Sequence, residues 1–197
     1  GNAYMIEVTL IRHFPTLGNG LGQYIGTIDE ELDRDALQMI IGNHNIKVLE
    51  RRYPKVDCIV TSPLKRCIQT AQLIYPEQKP ILCHDLRECD FGLFEGKNYE
   101  ELKDLPAYQA WLGSGGLMPF PNGEYKDEFQ KRCVRAFDMS IDTLIEQNCQ
   151  SAAFVVHGGT IMAVLSAFDR KKRDFYHWQV KNGKGYTMRI EEETWIC

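Results

Sequence analysis

The sequence predicts an α/β fold, and three observations predict it. Short apolar runs at residues 6–11, 57–60 and 152–156 read as strands, the last two buried on both faces. Turn residues, and then apolar positions at helical spacing, follow the later runs. Two strands also end in residues that carry chemistry: Arg12-His13 after the first, His157-Gly158-Gly159 after the last. The C-terminal ends of strands are where an open α/β sheet binds ligands.

In the first strand Ile6, Val8 and Leu10 alternate with Glu7, Thr9 and Ile11, the period of a strand with at least one buried face. It delivers Arg12 and His13, then Phe14-Pro15 and a loop holding Gly18, Gly20, Gly22 and Gly26. A fixed cation beside a nucleophilic nitrogen suits an anionic, electrophilic centre such as phosphate. Taken alone, such a pair is more often a solvated edge. Residues 19–29 are glycine-rich and polar, a loop able to fold over a ligand. Asp29-Glu30-Glu31 precede Leu32, Leu37, Ile40 and Ile41, which predicts a helix starting near Leu32 with acids at its positive end. Ile46, Val48 and Leu49 continue that pattern past Gly42-Asn43.

After the strand at 57–60, Ser62 reads as an N-cap and Pro63 as the first helical residue. Leu64, Cys67, Ile68, Ala71 and Ile74 then form the buried face. Arg66 falls in the first turn, where unpaired N–H groups favour anions, although alone it reads as a solvated arginine. Residues 80–83 suggest another strand. Beyond them Asp85, Glu88, Asp90 and Glu95 mix with Phe91, Phe94 and two glycines. An apolar wall there raises a carboxyl pKa toward the range useful to a proton donor, whereas the default role of such acids is capping or solubility.

Helices are expected over 98–105 and 106–112. Residues 113–123 are too rich in glycine and proline for a regular element and read as a surface loop over the substrate, not a domain linker. The longest helix spans 124–147, with Phe129, Cys133, Val134, Phe137, Ile141, Leu144 and Ile145 as its apolar stripe; its aromatics are core, not a cofactor box. After His157, Ile161, Val164, Leu165 and Phe168 predict a helix. The basic run 170–173 is a solvated corner able to attract an anion. Residues 185–190 alternate as a late edge strand, and Trp195-Ile196 close the chain.

At 197 residues the chain supports a substantial core without disulfides and is expected to form one domain, 1–197. A net charge of −4 speaks against nucleic acid as the main partner. No apolar run approaches the length of a membrane span and the N-terminus lacks a signal-peptide pattern, so no membrane partner is expected. The seven cysteines are odd in number and show no C-x-x-C spacing, which fits a reducing compartment and predicts a cytoplasmic protein. No cysteine–histidine cluster has zinc spacing, so no metal site is expected.

The weak signals converge. In a parallel sheet strand ends share one edge, so Arg12, His13, Arg66 and His157 can meet in one cleft. Two arginines supply permanent charge and bidentate geometry for phosphate oxygens. Two histidines in such a field are expected to differ in role, one as nucleophile and one as donor.

Four motifs resemble the histidine phosphatase superfamily, the phosphoglycerate mutase-like group. They are Leu10-Ile11-Arg12-His13, Ser62-Pro63-Leu64-Lys65-Arg66 with Gln69-Thr70-Ala71, the stretch from Leu86-Arg87-Glu88 through Phe91-Gly92 to Glu95-Gly96, and Val156-His157-Gly158-Gly159. They stand in that family's order across residues 10–159. Asn19 stands where the family places a phosphate-contacting asparagine, and Gly123-Glu124 resembles its Gly-Glu before the long helix. The resemblance implies a three-layer α/β fold, with a mostly parallel central sheet flanked by helices. It also implies phosphoryl transfer with no metal and no cofactor. By that analogy His13 attacks phosphorus, and Arg12, Asn19, Arg66 and His157 hold the oxygens with Gly158 beside them. Glu88 protonates the leaving oxygen and then activates water.

One departure stands out. The family usually has glycine and then a polar residue after the histidine, where this chain has Phe14-Pro15. Phenylalanine adds a side chain and proline removes a donor, so loop geometry and substrate are expected to differ. The leading expectation is a phosphomonoesterase for a small phosphorylated metabolite, most like the α-ribazole-5′-phosphate phosphatases of cobalamin assembly. A broad-specificity sugar-phosphate phosphatase and a phosphoglycerate mutase are the enzyme alternatives. A catalytically silent phospho-ligand-binding protein is the alternative from another class. Phe14-Pro15 keeps it open, and the joint presence of His13, Glu88 and His157 opposes it.

Overall fold

A computed structural model describes residues 2–194, with side chains from 4 to 191. Trp195-Ile196 lie outside the described residues. The elements are β1 (Asn2–Arg12), α1 (Leu17–Gly20), α2 (Arg34–Ile41), α3 (Val48–Arg52), β2 (Cys58–Thr61), α4 (Lys65–Ile74) and β3 (Ile81–Leu82). They continue with α5 (Tyr99–Leu102), α6 (Pro106–Gly113), α7 (Lys126–Glu146), β4 (Ser151–Val156), α8 (Gly158–Phe168) and β5 (Gly185–Thr194). The strands form one five-stranded sheet in the order β3-β2-β4-β1-β5. All neighbours are parallel except β5, which runs antiparallel along the β1 edge.

The alternation in β1 sorts its side chains between two cores. Ile6, Val8 and Leu10 join Ala152, Phe154 and Val156 of β4 under the apolar stripes of α7 and α8. Ile11, with Ala153 and Val155, faces the other way, toward Leu49 of α3 and Cys67, Ala71 and Ile74 of α4. Helices thus cover both faces of a mostly parallel sheet, which is why β4 is apolar at nearly every position. A third cluster, Phe94, Leu102, Tyr108 and Trp111 with Tyr24, Phe91 and Phe120 against it, is built from loops and short helices. Residues 114–123 form an irregular loop after α6, which carries Phe120 onto this cluster. Among the described residues no helix is long and apolar enough to cross a membrane.

Several expected boundaries move, each for a local reason. Asp33, not the acids before it, caps α2, accepting from the N–H of Asp35. Asp29 and Glu30 serve elsewhere, accepting from the backbone N–H groups of Lys65 and Gly18. Gly42 adopts φ 65°, which ends α2, so Val48 and Leu49 start a separate helix. Leu64, not Ser62, stands at the N-cap of α4, and Pro63 precedes the helix. The predicted helix 98–105 is only the single turn α5, capped by Asn98, which trades bonds with Glu101 as a capping box.

Candidate active site

The register of the sheet brings the chemistry together. Arg12 pairs with Val156, and Thr61 with Val155, so β1, β2 and β4 end at one level. Beyond them the N–H of His13 donates to the Val156 carbonyl at 3.0 Å, and that of Ser62 to the Val155 carbonyl at 3.2 Å. The rings of His13 and His157 consequently meet edge-on, with centroids 5.4 Å apart.

His13 is buried, and its Nδ1 lies 2.6 Å from the carbonyl oxygen of Phe14. A carbonyl can only accept, so Nδ1 carries the hydrogen and Nε2 keeps its lone pair. Burial, reinforced by the positive charge of Arg66, lowers the His13 pKa to about 3. The imidazole is therefore neutral at neutral pH, which is the nucleophilic form. His157, at the N-cap of α8, places Nε2 2.7 Å from the Ser62 hydroxyl. Burial and then Arg66, His13 and Arg12 hold its pKa well below the ordinary histidine value.

Arg66 is fully buried, not solvated. Its guanidinium donates to the carbonyls of Ile28 at 2.7 Å, Gly26 at 2.9 Å and Ile25 at 3.3 Å, tying the 25–28 loop to α4. Arg12 donates from Nη1 to the Val180 carbonyl at 2.8 Å. In both arginines Nε is buried without a hydrogen-bond partner. Gly158 makes room for one of them, since a Cβ there would stand 3.2 Å from Arg12 Nε. Buried charged donors left unpaired are costly, and these two N–H groups can be satisfied by the oxygens of an anion.

Glu88 is buried beside these cations, 8% exposed. Its carboxylate accepts from the N–H of Cys89 at 2.9 Å and of Gly159 at 3.1 Å. Burial raises its pKa above the ordinary glutamate value, against the opposing pull of those N–H groups and of Arg66 and Arg12. Asn19 sits in α1, where its side chain and that of Thr16 cap each other's backbone N–H groups.

A cavity of about 420 Å³ opens onto Arg12, Asn19, Glu88 and Gly158. His13, Arg66 and His157 are buried rather than on its wall. The structure thus gathers Arg12, His13, Asn19, Arg66, Glu88, His157 and Gly158 at one end of the sheet. The other acids of that stretch do different work. Glu95 clasps the backbone N–H groups of Gly26, Thr27 and Phe91, and Asp85 pairs with Arg87 on the surface. Glu124 accepts from the Asp90 N–H and pairs at 2.7 Å with Arg132. Arg132 in turn donates to the carbonyls of Asp85, Arg87 and Glu88, which fixes the segment carrying Glu88.

Sequence reasoning missed Asn182. Its amide donates to the His13 carbonyl at 3.0 Å and to Asn19 Oδ1 at 3.2 Å, while the Gly183 N–H donates to the Arg12 carbonyl at 2.8 Å. An Asn-Gly pair before an alternating run was the available signal, but it reads as turn chemistry only. The role of Phe14 was also missed. It is buried with Ile11, Leu49 and Ala71 on the face of β1 that α3 and α4 cover, and Tyr53 lies edge-on to it.

Residues 8–197 match the family model of the histidine phosphatase superfamily, branch 1. A Hydrogenobacter thermophilus protein named "Putative phosphoserine phosphatase 2" is 32% identical over 169 residues, 82% of this chain and 77% of its own. Among solved structures, a mutant phosphoserine phosphatase from Entamoeba histolytica in complex with phosphoserine gives a TM-score of 0.73 at 26% identity, covering 92% of this chain and 89% of that one. The alpha-ribazole phosphatase from Shigella flexneri gives 0.74 at 22% identity, with 92% and 89% covered, a likeness of fold. With its mostly parallel sheet and flanking helices, this chain belongs to the histidine phosphatase superfamily.

Proposed function

We propose that the chain, as one domain over residues 1–197, is a phosphomonoesterase that works through a phosphohistidine on His13. The observation that carries the reading is a neutral imidazole whose Nδ1 is committed to the Phe14 carbonyl, set beside two guanidinium groups whose Nε–H donors are buried and unpaired. Nε2 of His13 attacks phosphorus and the ester P–O bond breaks. The departing oxygen takes a proton from Glu88, whose pKa burial raises, and Glu88 is left as a carboxylate. A water then attacks the phosphohistidine, the P–N bond breaks, and Glu88 takes the water proton as inorganic phosphate leaves. Arg12, Arg66, Asn19, His157 and the start of α8 at Gly158 hold the oxygens as charge moves among them.

Two fixed guanidinium charges supply what a metal would otherwise bring, so the reaction is proposed to need neither metal nor cofactor. The substrate is a small phosphorylated metabolite. The relatives' names point to phosphoserine and to α-ribazole 5′-phosphate, the latter being the sequence-based expectation. If the acceptor is a second hydroxyl instead of water, the same site is a mutase. The silent-binder alternative is disfavoured because phosphate binding alone has no use for a buried acid such as Glu88.

The test is hydrolysis of p-nitrophenyl phosphate with EDTA present, together with acid quench during turnover. Phosphate release and acid-labile phosphate on His13 are expected, both lost in His13→Ala by several orders of magnitude. Near-wild-type turnover by His13→Ala refutes the nucleophile, and turnover that EDTA abolishes and Mg²⁺ restores refutes the metal-free mechanism.

A further inference from the structure

The cavity above the proposed phosphate floor has a composition of its own. Its lining is rich in aromatic rings: Phe91, Trp111, Phe120, Phe129, Phe175 and Tyr176. The first three interlock, with ring centroids 5.1 Å apart for Phe91–Phe120 and 5.0 Å for Trp111–Phe120. Such rings offer large contact area at little entropic cost. At about 420 Å³ the space falls in the range that encloses drug-sized ligands, more than a three-carbon phosphoester needs.

One further cation faces this space. Lys126 opens α7, is half-buried, and lines the cavity. Its ammonium lies 4.5 Å from the Phe175 ring centroid and 5.3 Å from that of Tyr176. Among the described residues no carboxylate stands within ion-pair distance of it. Cation–π contacts hold the ammonium in place without neutralising it, so its charge is available to a ligand. Lys126 and Arg12 line the same cavity from different elements, α7 and the end of β1, so the two cations can meet different groups of one ligand.

We propose that the alcohol half of the substrate carries a flat or bulky apolar body seated on this aromatic wall, and an anionic group that Lys126 receives. The inference rests on the phosphomonoesterase reading for the direction in which the ligand lies, with phosphate at Arg12 and the alcohol half outward. It makes an aryl-bearing acid a better ligand than phosphoserine, whose side chain offers no apolar body.

The test reads binding, so that it does not depend on turnover. Calorimetry would compare propylphosphonate, 3-phenylpropylphosphonate, and the meta and para ring carboxylates and carboxamides of the latter, all non-hydrolysable. The phenyl compound should bind about tenfold more tightly than the propyl compound. The better carboxylate should bind about tenfold more tightly than its carboxamide, and in Lys126→Met that ratio should fall below about two. Phenyl and propyl compounds within twofold of each other would overturn the apolar class. A carboxylate preference that is absent, or that survives Lys126→Met, would overturn the role of Lys126. The p-nitrophenyl phosphate assay separates the two readings. The predicted order without any turnover refutes the phosphatase alone, whereas turnover without the order refutes the substrate class alone.

Discussion

The Gly159 N–H donates to the Glu88 carboxylate at 3.1 Å, joining the start of α8 to the loop beyond β3. The contact depends on glycine, because a Cβ at 159 would overlap the carboxylate itself. Gly159→Ala must then displace Glu88 from the strand edge while leaving Arg12, His13 and Arg66 in place. A misplacement of about 1 Å costs roughly 10²-fold in rate. The expected outcome is a fall of that order in kcat on alkyl phosphates, with inhibition by inorganic phosphate little changed. Steady-state kinetics with phosphate as competitive inhibitor check it.

Phe14 stands where the family usually has glycine, and its burial says what it does. At 1% exposure it fills the core between β1, α3 and α4, and its N–H donates to the Thr70 hydroxyl. Phe14→Ala should therefore lower the unfolding free energy by about 3–5 kcal/mol, measured by urea denaturation. It should not raise turnover per folded molecule. A faster enzyme of unchanged stability would mean that Phe14 constricts the phosphate site instead.

The pH dependence follows from opposite shifts at two buried groups. His13 titrates near 3 when folded and near the ordinary 6.5 when unfolded. Between those values the unfolded chain binds the extra proton, so stability is full above 6.5 and is lost as pH falls toward 3. Unfolding free energy measured at pH 7, 5 and 4 should decline, and His13→Gln should flatten the slope. In kcat/KM no acid limb should appear near 6.5, since the lone pair is already present there. Glu88 acts as an acid, so activity on alkyl phosphates should fall as pH rises through its upshifted pKa. An acid limb centred at 6.5 that stays put for substrates of different phosphate pKa would show that His13 titrates as an ordinary histidine.

Much of this site was legible because it lies at strand ends. Arg12, His13 and His157 directly follow apolar runs, and the parallel register fixes their meeting from the pattern alone. Arg66 is legible as a first-turn cation that can join the cleft, but its burial is not, since a helical pattern cannot show that loop carbonyls from Ile25, Gly26 and Ile28 will surround it. Ser62 looked like a cap by residue type. Its hydroxyl accepts from the Leu64 N–H at 3.3 Å and also meets Nε2 of His157, 95 positions away. Asn182 and Lys126 were invisible for the same reason: each matters through partners remote in sequence. The aromatic cluster of Phe94, Tyr108 and Trp111 has no periodic signal at all, because loops and two short helices assemble it.

Glu88 as proton donor makes the sharpest demand on the mechanism, because it separates proton transfer from phosphate binding. Glu88 is distinguished from Asp85, Asp90 and Glu95 by being the buried one of the four. Glu95 and Asp90 are occupied in capping backbone N–H groups, and Asp85 lies on the surface. Glu88→Gln keeps the shape and an oxygen for the Cys89 or Gly159 N–H, but has no carboxyl proton to give. Hydrolysis of alkyl phosphates, whose leaving oxygen needs that proton, should slow by about 10²–10⁴-fold. Hydrolysis of p-nitrophenyl phosphate, whose leaving oxygen is a stabilised phenolate, should slow much less. Inorganic phosphate should inhibit almost as before, since no cation is removed. If Glu88 served folding alone, both substrates would lose activity in proportion to folded enzyme. Rates of both measured at equal folded concentration decide the matter. An equal loss on the two, with phosphorylation of His13 still rate-limiting, would remove Glu88 from the acid role.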